Sequence, residues 1–158
     1  MMDLARYQQG DIIQAALAQR RIAIVGLSSN QLRGSCFVGY YLRRHGYEIV
    51  PVNPREDEIL GKKCYASLSE VPEPVDVVNV FRAPAAVPAI AEEAIAMGAP
   101  YLWLQYTVIS QEGADIAEAG GMKVIMDRCM KVEHARYRGR MHWLGFNTER
   151  VSARRRLA

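Results

Sequence analysis

The stretch Arg21-Ile22-Ala23-Ile24-Val25-Gly26 decides the fold of this 158-residue chain. Between its first and last residues the side chains are all apolar, with no alternation of apolar and polar positions. Such a run is typical of a strand that is buried on both faces, as in a parallel sheet. The glycine at its end permits the sharp turn that leads from such a strand into a helix. The stretch therefore predicts the first strand of a parallel α/β sheet.

Helical and strand patterns alternate along the rest of the chain. Helices are predicted at residues 11–19, 34–45, 85–97, 111–119 and 131–138, with one helical turn at 67–71. Further strands are predicted at 47–52, 76–81, 101–104 and 122–126, with a short one around 63–65. Parallel strands joined by helices wind in one direction and are covered on both sides. We therefore predict one doubly wound, mostly parallel, Rossmann-like α/β domain of three layers over residues 1–158, with a basic tail from about residue 139.

The composition excludes several classes of protein. Hydrophobic residues make up 50% of the chain and charged residues 23%, which is typical of a globular domain and not of a disordered or fibrous one. Its apolar runs are far shorter than the roughly 20 residues that a membrane span needs, and the first ten residues do not resemble a signal peptide. The three cysteines have no Cys-x-x-Cys spacing, which fits a reducing compartment. We expect a cytoplasmic protein that does not enter a membrane.

The net charge of +3 is distributed unevenly. Basic residues are concentrated after residue 127 and include Arg154-Arg155-Arg156. A basic segment attracts polyanions. A stacking platform for nucleic acid, however, has aromatic side chains interleaved with the cations, and this segment has no such pattern. We therefore interpret it as a solvated tail and do not expect nucleic acid as a partner; the sequence does not indicate an oligomeric state.

The segment that follows the first predicted strand has the composition of a phosphate-binding loop. It runs from Gly26 to the start of a predicted helix at Gly34, and it contains short polar side chains and one arginine. Backbone N–H groups and the helix dipole favour an anion at such a helix start. The segment is not a G-x-G-x-x-G motif, because Ser28 stands at the second glycine. An ordinary connection between strand and helix remains the alternative.

The end of the second predicted strand distinguishes between nucleotides. NAD-binding domains place an acidic residue there, which accepts hydrogen bonds from the ribose hydroxyls. Here the strand ends in Asn53-Pro54-Arg55. A guanidinium favours a phosphorylated ribose, such as those of NADP and coenzyme A. The alternative is that Arg55 is a surface charge beside the acidic residues that follow it.

The remaining strand ends supply weaker candidates. Pro84 follows the fourth predicted strand and offers a rigid turn, although it also suits the first position of a helix. Gln105 and Tyr106 follow the next strand and either contact a ligand or cap the sheet. At the end of the last strand, an ion pair between Asp127 and Arg128 is favoured over a catalytic cysteine–histidine pair. We predict no metal site, because the three histidines lack ligand spacing. We predict no catalytic residue, because Ser28 and Ser29 lack the G-x-S-x-G motif of a hydrolase.

These segments together resemble the small stand-alone CoA-binding-domain proteins, a family similar to the amino-terminal Rossmann domain of the succinyl-CoA synthetase alpha subunit. The resemblance covers residues 12–138 and rests on residues 26–30 with Arg33, 46–54, 76–82 and 126–129. It implies non-covalent binding of coenzyme A or an acyl-CoA, without the synthetase's catalytic activity. The residues expected at the ligand are Gly26, Leu27, Ser28, Ser29, Asn30, Arg33, Ser35, Asn53, Pro54, Arg55, Phe81, Arg82, Pro84, Gln105 and Tyr106. Two alternatives remain, an NADP-linked oxidoreductase subunit and an interaction module whose pocket no longer binds a nucleotide.

Overall fold

The computed structural model of the protein describes residues 2–138; the basic tail predicted from about residue 139 lies outside them. The helices are α1 Gly10–Leu17, α2 Gly34–Arg44, α3 Val87–Ala96, α4 Gln111–Ala119 and α5 Met130–Tyr137. The strands are β1 Arg21–Val25, β2 Glu48–Val52, β3 Glu58–Ile59, β4 Lys62–Lys63, β5 Val77–Val80, β6 Tyr101–Leu104 and β7 Lys123–Ile125. Short 3-10 turns cover Leu4–Tyr7, Leu68–Glu70 and Pro84–Ala86.

The main sheet has five parallel strands in the order β2-β1-β5-β6-β7. β1 lies inside the sheet, where Ile22 pairs with Ile49 of β2 on one side and Val77 of β5 on the other. The chain therefore first winds outward from β1 to β2 and then returns to continue on the opposite side. This arrangement confirms the predicted doubly wound α/β fold and places the reversal of strand order beside β1.

The two faces of the sheet bury different helices. Ile22 and Ile24 of β1 lie in a hydrophobic cluster with residues of α1, α2 and α5. Ala23 and Val25 lie in a second cluster, with residues of α3 and α4. Consecutive strand residues point to opposite faces, so the uninterrupted apolar run in β1 corresponds to burial on both sides. The protein thus has the three predicted layers, with the sheet in the middle.

A small hairpin after β2 differs from the prediction. The sequence predicted a strand around residues 63–65, whereas β3 and β4 pair as antiparallel strands at residues 58–63. Leu60 and Gly61 both have positive φ angles, 54° and 72°, as a two-residue hairpin turn of the primed type requires. This turn brings the second strand of the hairpin earlier than predicted, and Tyr65 makes only an isolated bridge to Val52.

The described helices are all too short or too polar to cross a membrane. None of the helices within residues 2–138 has the length and hydropathy of a membrane span.

Candidate functional site

A cavity of about 710 Å³ opens at the carboxyl ends of β1, β2 and β5, beside the start of α2. In doubly wound sheets this is where ligands bind, because the loops diverge where the strand order reverses. The cavity is lined by Gly26, Ser28, Ser29, Asn30, Arg33, Gly34, Ser35, Asn53, Pro54, Arg55, Glu56, Phe81 and Arg82. The structure therefore brings together eleven of the fifteen residues that the sequence predicted at a ligand.

Gly26 joins the three strand ends that form the floor of the cavity. Its φ angle is +89°, in the region that glycine adopts without strain. Its N–H donates to the carbonyl oxygen of Val52 at 2.8 Å. A Cβ atom at this position would lie 2.9 Å from the carbonyl oxygen of Phe81. Glycine is needed here both for the turn and for the close approach of β5.

The loop that follows Gly26 satisfies most of its own backbone donors. The N–H of Ser28 donates to Ser35 Oγ at 3.1 Å, and the N–H of Asn30 donates to Ser28 Oγ at 3.0 Å. The N–H of Leu32 donates to Asn30 Oδ1 at 3.0 Å. Short polar side chains commonly stabilise turns in this way. The side chains of Ser28, Asn30 and Ser35 therefore act as acceptors that hold the loop in shape.

The beginning of α2 has backbone donors without a side-chain cap among the described residues, although the N–H of Cys36 donates to the carbonyl oxygen of Arg33 at 3.1 Å. Arg33 is the N-cap residue, and no side chain makes a capping hydrogen bond there. Gly34, the first residue of the helix, has open space where a Cβ would stand. The first turn of a helix carries unsatisfied N–H groups and the positive end of the helix dipole. Uncapped and facing a cavity, it favours an anion.

Three guanidinium groups line the same cavity. Arg33, Arg55 and Arg82 are exposed, and within residues 2–138 none of the three side chains forms an ion pair or donates a hydrogen bond to another protein group. Glu56 supplies the one carboxylate in the lining. The charged groups of the lining therefore carry a net positive charge, and no group within residues 2–138 pairs with the three cations.

Glu56 lines the cavity, although it is not among the residues that the sequence predicted at a ligand. Its Oε2 accepts the backbone N–H of Ser29 at 3.1 Å, and the Ser29 hydroxyl donates to its Oε1. Asn53 Nδ2 also lies 3.5 Å from Oε2. In the sequence, Glu56 is one of three consecutive acidic residues after Arg55, and no local pattern singles it out. Its nearness to the end of β2 is the only signal that could have indicated it.

Asn53 holds the turn that carries Arg55. Its Nδ2 donates to the carbonyl oxygen of Leu27 at 2.9 Å, and its Oδ1 accepts the N–H of Arg55 at 2.9 Å. Its own carbonyl oxygen accepts from the thiol of Cys64 at 3.4 Å. Burial raises the pKa of that thiol, so it remains a protonated donor. Asn53 thus ties the end of β2 to the end of β1.

Four predicted residues do not line the cavity. Leu27 is fully buried in the core, where a Cβ on Gly39 of α2 would come within 2.9 Å of it. Gln105 is also buried, and its Nε2 donates to Asn79 Oδ1 at 2.9 Å. Tyr106 and Pro84 are exposed outside the lining. Pro84 begins a 3-10 turn, which agrees with the alternative given for it.

The end of the last strand also differs from expectation. The Asp127 carboxylate does not pair with Arg128; it accepts the N–H of Thr107 at 2.8 Å. Asp127 has a φ of +57°, and this tight turn directs its carboxylate to the loop after β6. Arg128 Nε instead lies 3.7 Å from a carboxylate oxygen of the fully buried Glu133. Within residues 2–138 no group of three or more His, Cys, Asp or Glu side chains could hold a metal ion.

The fold and the cavity define the class of the protein. A doubly wound α/β domain, with arginines that have no partner within residues 2–138 and an uncapped helix start at its topological switch point, has the architecture that nucleotide-binding domains share. The chain belongs to the CoA binding domain family, whose model matches residues 20–135. The resemblance drawn from the sequence is therefore confirmed.

Several known proteins are similar to this chain. An uncharacterized protein of Bacillus subtilis, YneT, is 42% identical over 127 residues, which are 80% of this chain and 94% of YneT. The structure of a hypothetical protein from Pyrococcus horikoshii shares 34% identity with a TM-score of 0.81, covering 86% of this chain and 96% of that one. The ADP-forming acetate–CoA ligase II of Archaeoglobus fulgidus is 29% identical over 101 residues, which are 63% of this chain but only 15% of the ligase.

Proposed function

We propose that this protein binds coenzyme A or an acyl-CoA without covalent attachment, in the cavity at the carboxyl ends of β1, β2 and β5. One observation carries the proposal: three guanidinium groups that have no partner within residues 2–138, and an uncapped helix start, surround a single cavity of about 710 Å³. Coenzyme A combines a diphosphate with a phosphorylated ribose, so it offers anionic groups to both features. The CoA binding domain family supports this ligand over other polyanions.

The lining suggests how the ligand would lie. The diphosphate would rest against the first turn of α2, where the N–H groups have no side-chain cap. The ribose phosphate would lie near Arg55, which Asn53 holds at the end of β2. The adenine would pack on Pro54, which lines the cavity. Pro84 and Tyr106, which stand outside the lining on the same edge of the sheet, would be reached only by the pantetheine or acyl arm.

The role of Arg55 provides the test. We expect Arg55→Ala to weaken binding of coenzyme A about tenfold, as the loss of a charge-assisted hydrogen bond at an exposed site would. Binding of 3′-dephospho-CoA should change by less than about twofold, because the group that Arg55 recognises is missing. Titration calorimetry with both ligands measures the two effects. Lys123→Ala is the matched control, because Lys123 is an exposed cation at the opposite end of the sheet.

Three results would contradict the proposal. Equal losses for coenzyme A and 3′-dephospho-CoA would show that Arg55 does not recognise the ribose phosphate. Tighter binding of NADP than of coenzyme A by the unaltered protein would favour an oxidoreductase subunit, since Arg55 suits both phosphorylated riboses. Absence of binding to either ligand would leave an interaction module as the better description.

A further inference from the structure

The Glu56 carboxylate occupies donors that a phosphate group would use. It accepts from both the N–H and the hydroxyl of Ser29, in the loop between β1 and α2. Two donors from one residue converging on a carboxylate form a small anion-binding arrangement. The protein therefore already holds an anion of its own in the lining of the cavity.

The other backbone N–H groups of the loop between β1 and α2 differ from that of Ser29 in where their acceptors lie. The N–H groups of Ser28, Asn30 and Leu32 all donate to side chains of the loop or of the first turn of α2. These bonds maintain the shape of the loop, and a ligand would have to break the loop to use them. The N–H of Ser29 differs, because its acceptor comes from the segment after β2, 27 residues away in the chain. Releasing Glu56 frees the Ser29 donors and leaves the loop intact.

The contacts of Glu56 also allow its carboxylate to move away from Ser29 into solvent. Within residues 2–138 it forms no ion pair with any arginine of the cavity. Its carboxylate is held by Ser29, which is exposed, and more distantly by Asn53 Nδ2 at 3.5 Å. Asn53 keeps its stronger bond to the carbonyl oxygen of Leu27 whether or not Glu56 is present. Moving the carboxylate into solvent therefore disturbs no element of the fold.

We propose that Glu56 is an internal competitor for the ligand phosphate: its carboxylate must leave Ser29 before a phosphate oxygen can accept from that residue. The inference rests on the proposed binding of coenzyme A and specifies which residue limits its affinity. Competition by Glu56 means that only a ligand with enough negative charge binds the site tightly. A ligand with several phosphates gains from three arginines and the helix start and can displace one carboxylate, whereas a weakly charged ligand gains too little.

Two substitutions separate displacement from simple charge removal. Glu56→Gln removes the charge and weakens the hold on Ser29. Glu56→Asp keeps the charge but shortens the side chain by one methylene, so the carboxylate no longer reaches Ser29. Glu58→Gln is the matched control, because Glu58 is an exposed acid two residues away on β3 that does not line the cavity. Titration calorimetry with coenzyme A and with inorganic pyrophosphate, each at low and high salt, measures the effect.

We expect both Glu56 variants to bind coenzyme A and pyrophosphate roughly fivefold more tightly than the unaltered protein, since a hydrogen bond to a charged group no longer has to be broken. The gain should persist at high salt, and Glu58→Gln should show none. A gain confined to Glu56→Gln, or one that disappears at high salt, would overturn the inference in favour of long-range electrostatics. Weaker binding by both variants, with unchanged melting temperatures, would overturn it by showing that Glu56 contacts the ligand. If neither the unaltered protein nor the variants bind, the proposed function itself fails.

Discussion

The turn at Gly26 provides the sharpest test of how the cavity is built. We predict that Gly26→Ala destabilises the protein through two separable effects. The first is conformational, because the φ angle of +89° is unfavourable for alanine. The second is steric, because the new Cβ would lie 2.9 Å from the carbonyl oxygen of Phe81 and 3.2 Å from Arg82 Cδ. The arginine side chain can move aside, but the backbone carbonyl is fixed by the end of β5.

The magnitudes follow from the geometry. Placing alanine in the left-handed region costs about 1–2 kcal/mol. Relieving the contact with Phe81 requires the ends of β1 and β5 to separate, and overpacking of this kind typically costs about 1–3 kcal/mol. The two ranges sum to about 2–5 kcal/mol, with a midpoint below the roughly 5–15 kcal/mol of an ordinary domain. The variant should therefore fold, with a clearly lower free energy of unfolding.

Gly121 offers a matched control for the first effect. Its φ angle is +88°, but no atom would lie within 4 Å of its Cβ. Gly121→Ala should therefore cost only the conformational 1–2 kcal/mol or so. The smaller entropy that alanine confers on the unfolded chain is common to both variants and cancels in the comparison. Urea unfolding monitored by circular dichroism measures both. Equal losses in the two variants would refute the claim that contact with Phe81 requires glycine at position 26.

Two further predictions concern α5. Burial is the largest of the effects that lower the pKa of His134 to about 4, against about 6.5 in an unfolded chain, so the unfolded chain binds the proton more readily. Stability should then fall by up to about 3 kcal/mol as the pH drops from 6.5 to 4. Urea midpoints across this range should depend least on pH for His134→Gln, and they should depend somewhat less on pH for His45→Gln as well, because the charge of His45 is a second cause of the low pKa of His134. Glu133 is fully buried, 3.3 Å from the buried Arg136, so Glu133→Ala should cost about 3 kcal/mol by leaving that cation unpaired. In thermal unfolding, adding Arg136→Met should recover part of the loss, and simple addition of two losses would contradict this account.

Much of the fold follows from local signals in the sequence. The apolar run of β1 and the glycine after it mark a strand end whether or not the rest of the chain is known. The same holds for α2, which begins at Gly34 and ends just before Gly46, as the sequence pattern indicates. Signals of this kind depend on neighbours in the chain. They therefore predict the elements and the edge of the sheet at which a ligand would bind.

The direction in which the Gln105 side chain points could also have been predicted from the sequence. Successive strand residues face opposite sides, and in β6 Leu102 and Leu104 lie in the cluster with α3 and α4, whereas Trp103 lies in the cluster with α5. Continuing the alternation directs Gln105 to the side of Trp103, under α5. There it is buried and bonded to Asn79. Its position at a strand end suggested a ligand contact, and its place in the alternation argued for the core.

Glu56 could not be placed by either kind of reasoning. The chain leaves β2 through a turn held by Asn53, and the hairpin of β3 and β4 follows. Which of the intervening acids returns to the cavity depends on the turn and the hairpin together. Contacts such as that between Glu56 and Ser29 join segments far apart in the sequence, and no periodicity encodes them. The electrostatics of the site therefore had to come from the structure.

The two halves of the carboxyl edge of the sheet differ in whether their charged groups are paired. This difference favours an anion at one half only. At the ends of β6 and β7 the polar groups are already paired, Gln105 with Asn79 and Arg128 with Glu133. At the ends of β1, β2 and β5 the arginines have no protein partners among the described residues. A charge paired with another protein group gains little from a ligand, because the new interaction replaces an ion pair, whereas an exposed guanidinium without a protein partner has only water to exchange for the ligand. The part of the carboxyl edge that favours binding of a polyanion is therefore the part where the strand order reverses.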